Sequence, residues 1–239
     1  MSLTAKGEER PHAAALGGDY HRFNRGSNPP AACSTIMSKM VGERNSDWRE
    51  YYERTAGQPP RHTLLAALER FETNAIARRA ADLGCGDGRD TIELLRRGWR
   101  VLAIDAEPAA IARLQARPDL PSSAMLETRC ARFEDATWPA VDLVNASFAL
   151  PLCPPERFPE VWTRIERSLA MSGRFAGQLF GERDEWRGEP GVTHHARADV
   201  ERLLAGFAIE MLAEEESDTV TPYGKPKHWH LFHIVARKR

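Results

Sequence analysis

From residue 79 to the end of the chain, apolar positions follow two alternating rhythms. Short apolar runs at 80–83, 99–104, 125–130, 141–146 and 173–180 are strand-length and bounded by turn residues. Between them run stripes of helical period. One covers 91–97 and is closed by Gly98, where a left-handed residue ends a helix. A second covers 108–116 and opens with Pro108 in its first turn. Phe158, Val161, Trp162, Ile165 and Leu169 form a third, and Val200, Leu203, Leu204 and Phe207 a fourth. Two further strands are expected at 208–213 and 229–236. Strands separated by helices imply right-handed crossovers and a mostly parallel sheet covered on both faces. The last two strands have no helix between them, so an antiparallel member is expected at that edge. The pattern predicts an α/β three-layer sandwich with a seven-stranded sheet.

Upstream, Trp48, Tyr51 and Tyr52 share one helical face, and Pro59-Pro60 opens a second helix carrying Leu64, Leu65, Leu68 and Phe71. Residues 1–44 show no sustained period and contain Gly17-Gly18 and Asn28-Pro29-Pro30. They are expected to be a disordered extension, with the folded domain at 45–239. Met37 and Met40 offer alternative starts to translation, a hypothesis that N-terminal sequencing of native protein tests.

At 239 residues the chain is sized for one substantial core. Its 33 basic and 34 acidic residues leave a net charge of -1, which gives no general attraction to nucleic acid or anionic lipid. Cys33, Cys85, Cys130 and Cys153 are scattered, as in a reduced cytoplasmic protein. No membrane-spanning run or secretory signal is read. The expected partner is a small molecule rather than nucleic acid or a membrane, and the protein a monomer or homodimer.

The strongest chemical signal is Asp82-Leu83-Gly84-Cys85-Gly86-Asp87-Gly88, between the first strand and the next helix. Ligands of open parallel sheets bind outside the carboxyl ends of the strands, and glycines there admit backbone close to the ligand. The spacing is G-x-G-x-G rather than the G-x-G-x-x-G of dinucleotide sites, and Asp82 and Asp87 accompany it. Carboxylates repel a pyrophosphate but suit a cation, such as a sulfonium carrying an α-amino group.

This segment resembles motif I of class I S-adenosylmethionine-dependent methyltransferases, whose sheet is Rossmann-like. The resemblance extends over residues 47–239 and, loosely, toward the tellurite-resistance and small-molecule type. It implies S-adenosylmethionine as cofactor, with S-adenosylhomocysteine as product. Asp82 and Gly84 would lie along the methionine moiety, Gly86 and Gly88 would allow close approach, and Cys85 and Asp87 count among the cofactor-binding residues of the same loop. Asp105, with Ala106 after it, resembles the acid that holds the ribose hydroxyls, though its offset of about 20 residues also fits nicotinamide enzymes. Phe133 and Glu134 fall where relatives hold adenine, although many relatives carry Asp near the place of Arg132. Asn145 falls between cofactor and acceptor, in an Asn145-Ala146-Ser147-Phe148 stretch unlike the Asn-Pro-Pro-Tyr of enzymes that methylate adenine or glutamine. Trp48, Tyr51 and Tyr52 are read as an aromatic lid, with Tyr51 as the cofactor contact, and Arg54 and Arg61 as candidates for the ligand carboxylate.

The late histidines include His194, His195, His228, His230 and His233. On one strand His228 and His230 share a face that His233 does not, and no zinc-ligand spacing is present, so no metal is expected. His194, His195 and His228 are the candidate general bases. In-line methyl transfer needs alignment above all, and a soft acceptor such as a thiolate needs no base, whereas a hydroxyl does. The alternatives are a non-catalytic S-adenosylmethionine-binding module and a nicotinamide-dependent oxidoreductase.

Overall fold

A computed structural model describes residues 48–72, 78–121 and 123–239; the expected extension and the alternative starts lie outside them. Helices α1 (Trp48–Thr55) and α2 (His62–Leu68) precede β1 (Arg79–Leu83). Then come α3 (Arg89–Arg96), β2 (Arg100–Asp105), α4 (Pro108–Gln115), β3 (Leu126–Cys130) and β4 (Val141–Ala146). Helix α5 (Phe158–Ser168) leads to β5 (Leu169–Gly181), and β6 (His194–His195) to α6 (Arg197–Leu203). A hairpin of β7 (Phe207–Val220) and β8 (Pro226–Lys238) closes the chain.

The strands form one sheet in the order β3-β2-β1-β4-β5-β8-β7, with β6 paired to the end of β5. Strands β1 to β6 are parallel. The antiparallel strand is β8, inserted between β5 and the outermost β7. The sheet has eight strands where the pattern gives seven, because the two-residue β6 is too short to show a period. Strands β7 and β8 also run well past their expected limits. Their distal halves are polar, so pairing between them continues where the apolar alternation stops.

Alternation along the strands divides the core. Leu83, Ile104, Val144, Ala146, Phe175 and Leu179 meet α5 and α6 through Phe158, Trp162, Ile165 and Val200. Ala80, Val101, Ala103, Leu143 and Ala176 face α2, α3 and α4 through Leu64, Ile92, Leu94 and Leu114. Asp82 and Asn145, on the second face, are direct register partners at the carboxyl ends of β1 and β4. Glycine at position 98 ends α3 as predicted, at φ +79 with nothing near where a Cβ would stand.

A third, smaller cluster lies beyond the end of β5. Phe180, Trp186 and Trp229 pack edge to face or tilted at centroid distances of 5.7–6.1 Å. Lys227 threads between them, its Nζ 3.9 Å from the Trp229 centroid and 4.4 Å from that of Trp186. The same ammonium donates to Asp184 Oδ1 at 2.5 Å, and both side chains are at most 1% exposed. Asp184 also accepts from the Trp186 and His230 backbone N–H groups. The pair thereby ties the 181–187 turn to β8.

Removing one member of a buried pair strands the other charge. Lys227→Met is expected to cost about 3–5 kcal/mol of folding free energy. In a domain of this size that corresponds to a loss of about 10 °C in melting temperature. The double variant with Asp184→Asn should recover a large part of the loss, as a calorimetric double-mutant cycle would record.

Candidate active site

The carboxyl ends of β1 and β4 carry a buried polar network in an otherwise apolar layer. Thr91 Oγ1 donates to Asp82 Oδ2 at 2.5 Å, and Asn145 Nδ2 to Asp82 Oδ1 at 2.9 Å. The same amide donates to Asp90 Oδ2 at 3.0 Å, where Ser147 Oγ also donates at 2.6 Å. The Arg61 backbone N–H completes Asp90. Two carboxylates are thus buried side by side with an amide shared between them, and Asp82 is 2% exposed. Burial first, and the neighbouring Asp90 second, push the Asp82 carboxyl up to about 7 against its hydrogen bonds from Thr91 and Asn145.

The glycine loop brings a third acid close. The Asp105 carboxylate accepts from Gly86 N–H and Glu107 N–H, each at 2.8 Å. Burial raises its pKa, and the two backbone bonds oppose the shift. An ionised carboxylate has about four acceptor positions, so donors from a ligand have a place beside these two. Among the described residues no Lys, Arg or His side chain ion-pairs with Asp82, Asp90 or Asp105.

The glycines divide their roles. Gly84 has φ +66, and a Cβ there would stand 2.6 Å from Ala149 Cβ, so the loop runs tight against the segment after β4. Gly86 lies under the Tyr52 ring. Gly88 precedes α3, and a Cβ there would meet Leu114 at 2.2 Å. Its place is therefore also a helix-packing position. Cys85 is buried, and burial raises its thiol pKa well above the ordinary value. Asp87 is half-buried near Arg117, whose guanidinium donates to the Asp87 carbonyl.

Of the aromatic helix, it is Tyr52 rather than Tyr51 that is buried over the loop. Burial and the nearby Asp105 raise its hydroxyl pKa. Tyr51 packs edge-on against Trp48 and Tyr52, at 5.5 and 5.6 Å. Arg54 pairs with Glu50 along its own helix. The Arg61 guanidinium instead lies 4.4 Å over the Phe148 ring.

At the third strand, Ala131 N–H donates to the Asp105 carbonyl, which sets the following loop beside β2. Ala106 accepts through its carbonyl from Cys130 Sγ. Phe133 is partly buried against the core. Glu134 is 3% exposed, and Arg132 donates to its Oε1 at 2.5 Å, so its carboxylate is already engaged. Arg164 on α5 holds the loop through the carbonyls of Phe133, Glu134 and Ala136.

The histidines separate by environment. His195 is buried against Phe158 at 4.6 Å, and burial pulls its pKa down to about 4. His228 lies on the hairpin between Asp218 and Glu216, which raise its pKa. His230 bonds Glu214 on that same face, and His233 bonds Glu215 on the other. His194 sits at the sheet's carboxyl edge beside Phe180. Among the described residues no group of three or more His, Cys, Asp or Glu is arranged to hold a metal ion.

Sequence reasoning missed Asp90, Thr91 and Gln178. Gln178 accepts from Phe148 N–H and donates to Thr63 Oγ1, fixing Phe148 at φ +55 beside the site. Gln178 stands alone in an apolar run, and that is the one sequence signal it gave.

Residues 80–173 match a family model described as a methyltransferase domain. Trans-aconitate 2-methyltransferase of Afipia carboxidovorans is 35% identical over 92 residues, 37% of this chain. The match spans a third of that enzyme's length. The fold is similar to that of TehB from Haemophilus influenzae, with TM-score 0.64 and 17% identity over 80% of this chain and 67% of that one. It is also similar to magnesium protoporphyrin IX methyltransferase from Synechocystis PCC 6803, with TM-score 0.62 and 14% identity over 87% and 100%. A Burkholderia thailandensis 1,6-didemethyltoxoflavin-N1-methyltransferase gives TM-score 0.54 and 22% identity over 86% of both chains. With motif I at the tip of β1, an acid at the tip of β2 and this sheet order, residues 80–173 are similar to a methyltransferase domain, and the fold is similar to that of solved S-adenosylmethionine-dependent methyltransferases.

Proposed function

We propose that the protein is an S-adenosylmethionine-dependent methyltransferase acting on a small-molecule acceptor. The observation that carries this reading is electrostatic. Three carboxylates converge at the tips of β1 and β2 and the start of α3, and no basic side chain among the described residues pairs with them. Burying anionic groups without a counter-charge is unfavourable, and a cationic ligand relieves it. A sulfonium nucleoside with an α-amino group supplies positive charge toward Asp82 and vicinal hydroxyls toward Asp105. The Gly84 turn leaves backbone, not side chain, facing the ligand. Relatives solved with this cofactor or its product share the fold.

The residues of this chain then act by placement. Asp105 takes the ribose hydroxyls through its remaining acceptor positions. Asp82, oriented by Thr91 and Asn145, attracts the amino group. Tyr52 covers the loop and excludes water. Arg61, stacked on Phe148, offers its guanidinium to the ligand carboxylate. Bound S-adenosylmethionine supplies an already activated methyl group, so the protein's task is alignment with the acceptor, which supplies about 7–11 kcal/mol in favourable systems. A small acceptor is supported by fold neighbours whose names give small-molecule substrates.

Titration calorimetry with S-adenosylhomocysteine tests the assignment. Asp105→Ala is expected to weaken binding about 100-fold, the scale of losing two charge-assisted hydrogen bonds. Wild-type affinity in that variant, with the fold intact, would refute the reading.

Asp82 gives the site a pH signature. Its carboxyl is raised in the folded protein, so its contribution to the stability of the ligand-free form is present at low pH and fades as pH rises through about 7. A ligand ammonium favours the ionised carboxylate. Affinity should therefore rise with pH up to about 7, level off above it, and be accompanied by proton release. In Asp82→Asn the profile should be flat and the binding weaker. Calorimetry in two buffers of different ionisation enthalpy reads both effects.

A further inference from the structure

Gln178 is the one polar side chain in the run Phe175-Ala176-Gly177-Gln178-Leu179-Phe180, and it is fully buried. Its amide joins two segments that flank the glycine loop. Oε1 accepts from Phe148 N–H, in the loop after β4, at 3.0 Å, and Nε2 donates to Thr63 Oγ1 on α2 at 2.9 Å. Each partner stands close to a residue that Asp90 holds. Asp90 accepts from Ser147 Oγ at 2.6 Å and from Arg61 N–H at 2.9 Å. The bonds therefore close a ring that runs from Asp90 through Ser147 and Phe148 to Gln178, then through Thr63 and Arg61 back to Asp90. Thr63 is fully buried as well, so water does not compete for its bond to the amide.

What the ring of bonds encloses is a cation on an aromatic face. The Arg61 guanidinium lies 4.4 Å over the Phe148 ring, and among the described residues no carboxylate pairs with it. Asp90 fixes this pair at Arg61 and Ser147, and Gln178 fixes it at Phe148 and Thr63. Phe148 shows why the second anchor is needed. Its φ of +55 lies in the left-handed region that a bulky side chain avoids. Such a conformation persists only where the surroundings enforce it, and the bond from Phe148 N–H to Gln178 holds the backbone there. An amide suits the place because it accepts at one end and donates at the other without burying a charge. Helix α2 has other ties to the sheet. Leu64 is fully buried, and the His62 ring packs on His233 of β8 at 4.6 Å. Loss of the amide therefore shifts Arg61 and Phe148 without releasing the helix.

We propose that Gln178 is a positioning residue for the amino-acid tail of the ligand: it sets the Arg61–Phe148 pair so that the guanidinium meets the carboxylate of that tail. The inference deepens the cofactor reading given above and rests on it. A guanidinium can rest on a ring and still present its N–H groups to a carboxylate. Held in advance, it gives up less side-chain freedom when the ligand arrives. A thioether nucleoside without the tail makes no use of this clamp. Gln178 therefore contributes to discrimination between complete S-adenosyl ligands and shorter thioether nucleosides, and not to binding of the nucleoside itself.

Titration calorimetry on the full chain with two ligands tests this. One is S-adenosylhomocysteine; the other is 5′-methylthioadenosine, which keeps the nucleoside and the thioether but lacks the tail. Gln178→Met should weaken S-adenosylhomocysteine binding about 10-fold and change 5′-methylthioadenosine binding by less than about twofold. Arg61→Ala should show the same selectivity, and adding Gln178→Met to it should weaken S-adenosylhomocysteine by less than about twofold more. A purely structural glutamine would instead give equal losses for both ligands and additive losses in the double variant. Thr63→Val leaves Phe148 N–H paired with Gln178, and it carries the same test if Gln178→Met does not fold. The double-variant arm uses S-adenosylhomocysteine alone, so it decides even where 5′-methylthioadenosine binds too weakly to measure. Equal losses, additive losses, or wild-type affinity for S-adenosylhomocysteine in the folded variants overturns the proposal. A wild-type protein that binds neither ligand overturns the cofactor reading instead, and the proposal with it.

Discussion

Asp82 and Asp90 share one amide, and the site is organised around that shared donor. Two carboxylates so close in an apolar layer repel each other and lack the solvent that would stabilise them. Asn145 answers both with a single NH₂ group, and Thr91 and Ser147 supply the remaining donors. The network spans β1, β4 and the first turn of α3, so the three elements that frame the site are fixed by one set of polar contacts. Because Arg61 N–H closes Asp90, the segment leading into α2 is fixed by the same set.

This arrangement is an unfavourable one for an empty protein. A core built for stability alone would place apolar residues at 82 and 145, as the neighbouring Ala80 and Leu143 do on the same face. Retaining acids there leaves a local excess of negative charge at the mouth of a glycine turn. The electrostatic strain and the backbone opening coincide in space, and that coincidence separates this loop from an ordinary strand-to-helix turn.

Most of the fold was legible because periodicity reports burial, and burial is what these elements share. Strand β4 matched its predicted limits because Val141, Leu143, Val144 and Ala146 bury apolar side chains on both of its faces. The two-residue β6 carries no period, and the outer half of β7 is exposed, so the extent of that hairpin depends on pairing that a linear pattern does not record. At the site, Asp82, Asp105 and the glycines were legible from spacing, and Asn145 from its position at a strand end. Asp90 and Gln178 were not, since their roles depend on partners 55 and 30 residues away. The histidines show the same limit. Sequence placed His194 and His195 together, and only packing separates a ring wedged against Phe158 from one set beside Phe180 and Asp184.

The hairpin at the end of the chain has a consequence of its own. Inserting β8 leaves β7 as the outermost strand, 14 residues long, with backbone groups on its outer side that could template another chain. Glu214, Glu215, Glu216 and Asp218 line that strand one after another. A second copy approaching in register would bring like charges face to face. The acids that neutralise Arg183, His228 and His233 within the molecule thereby also guard its open border against fibrillar stacking.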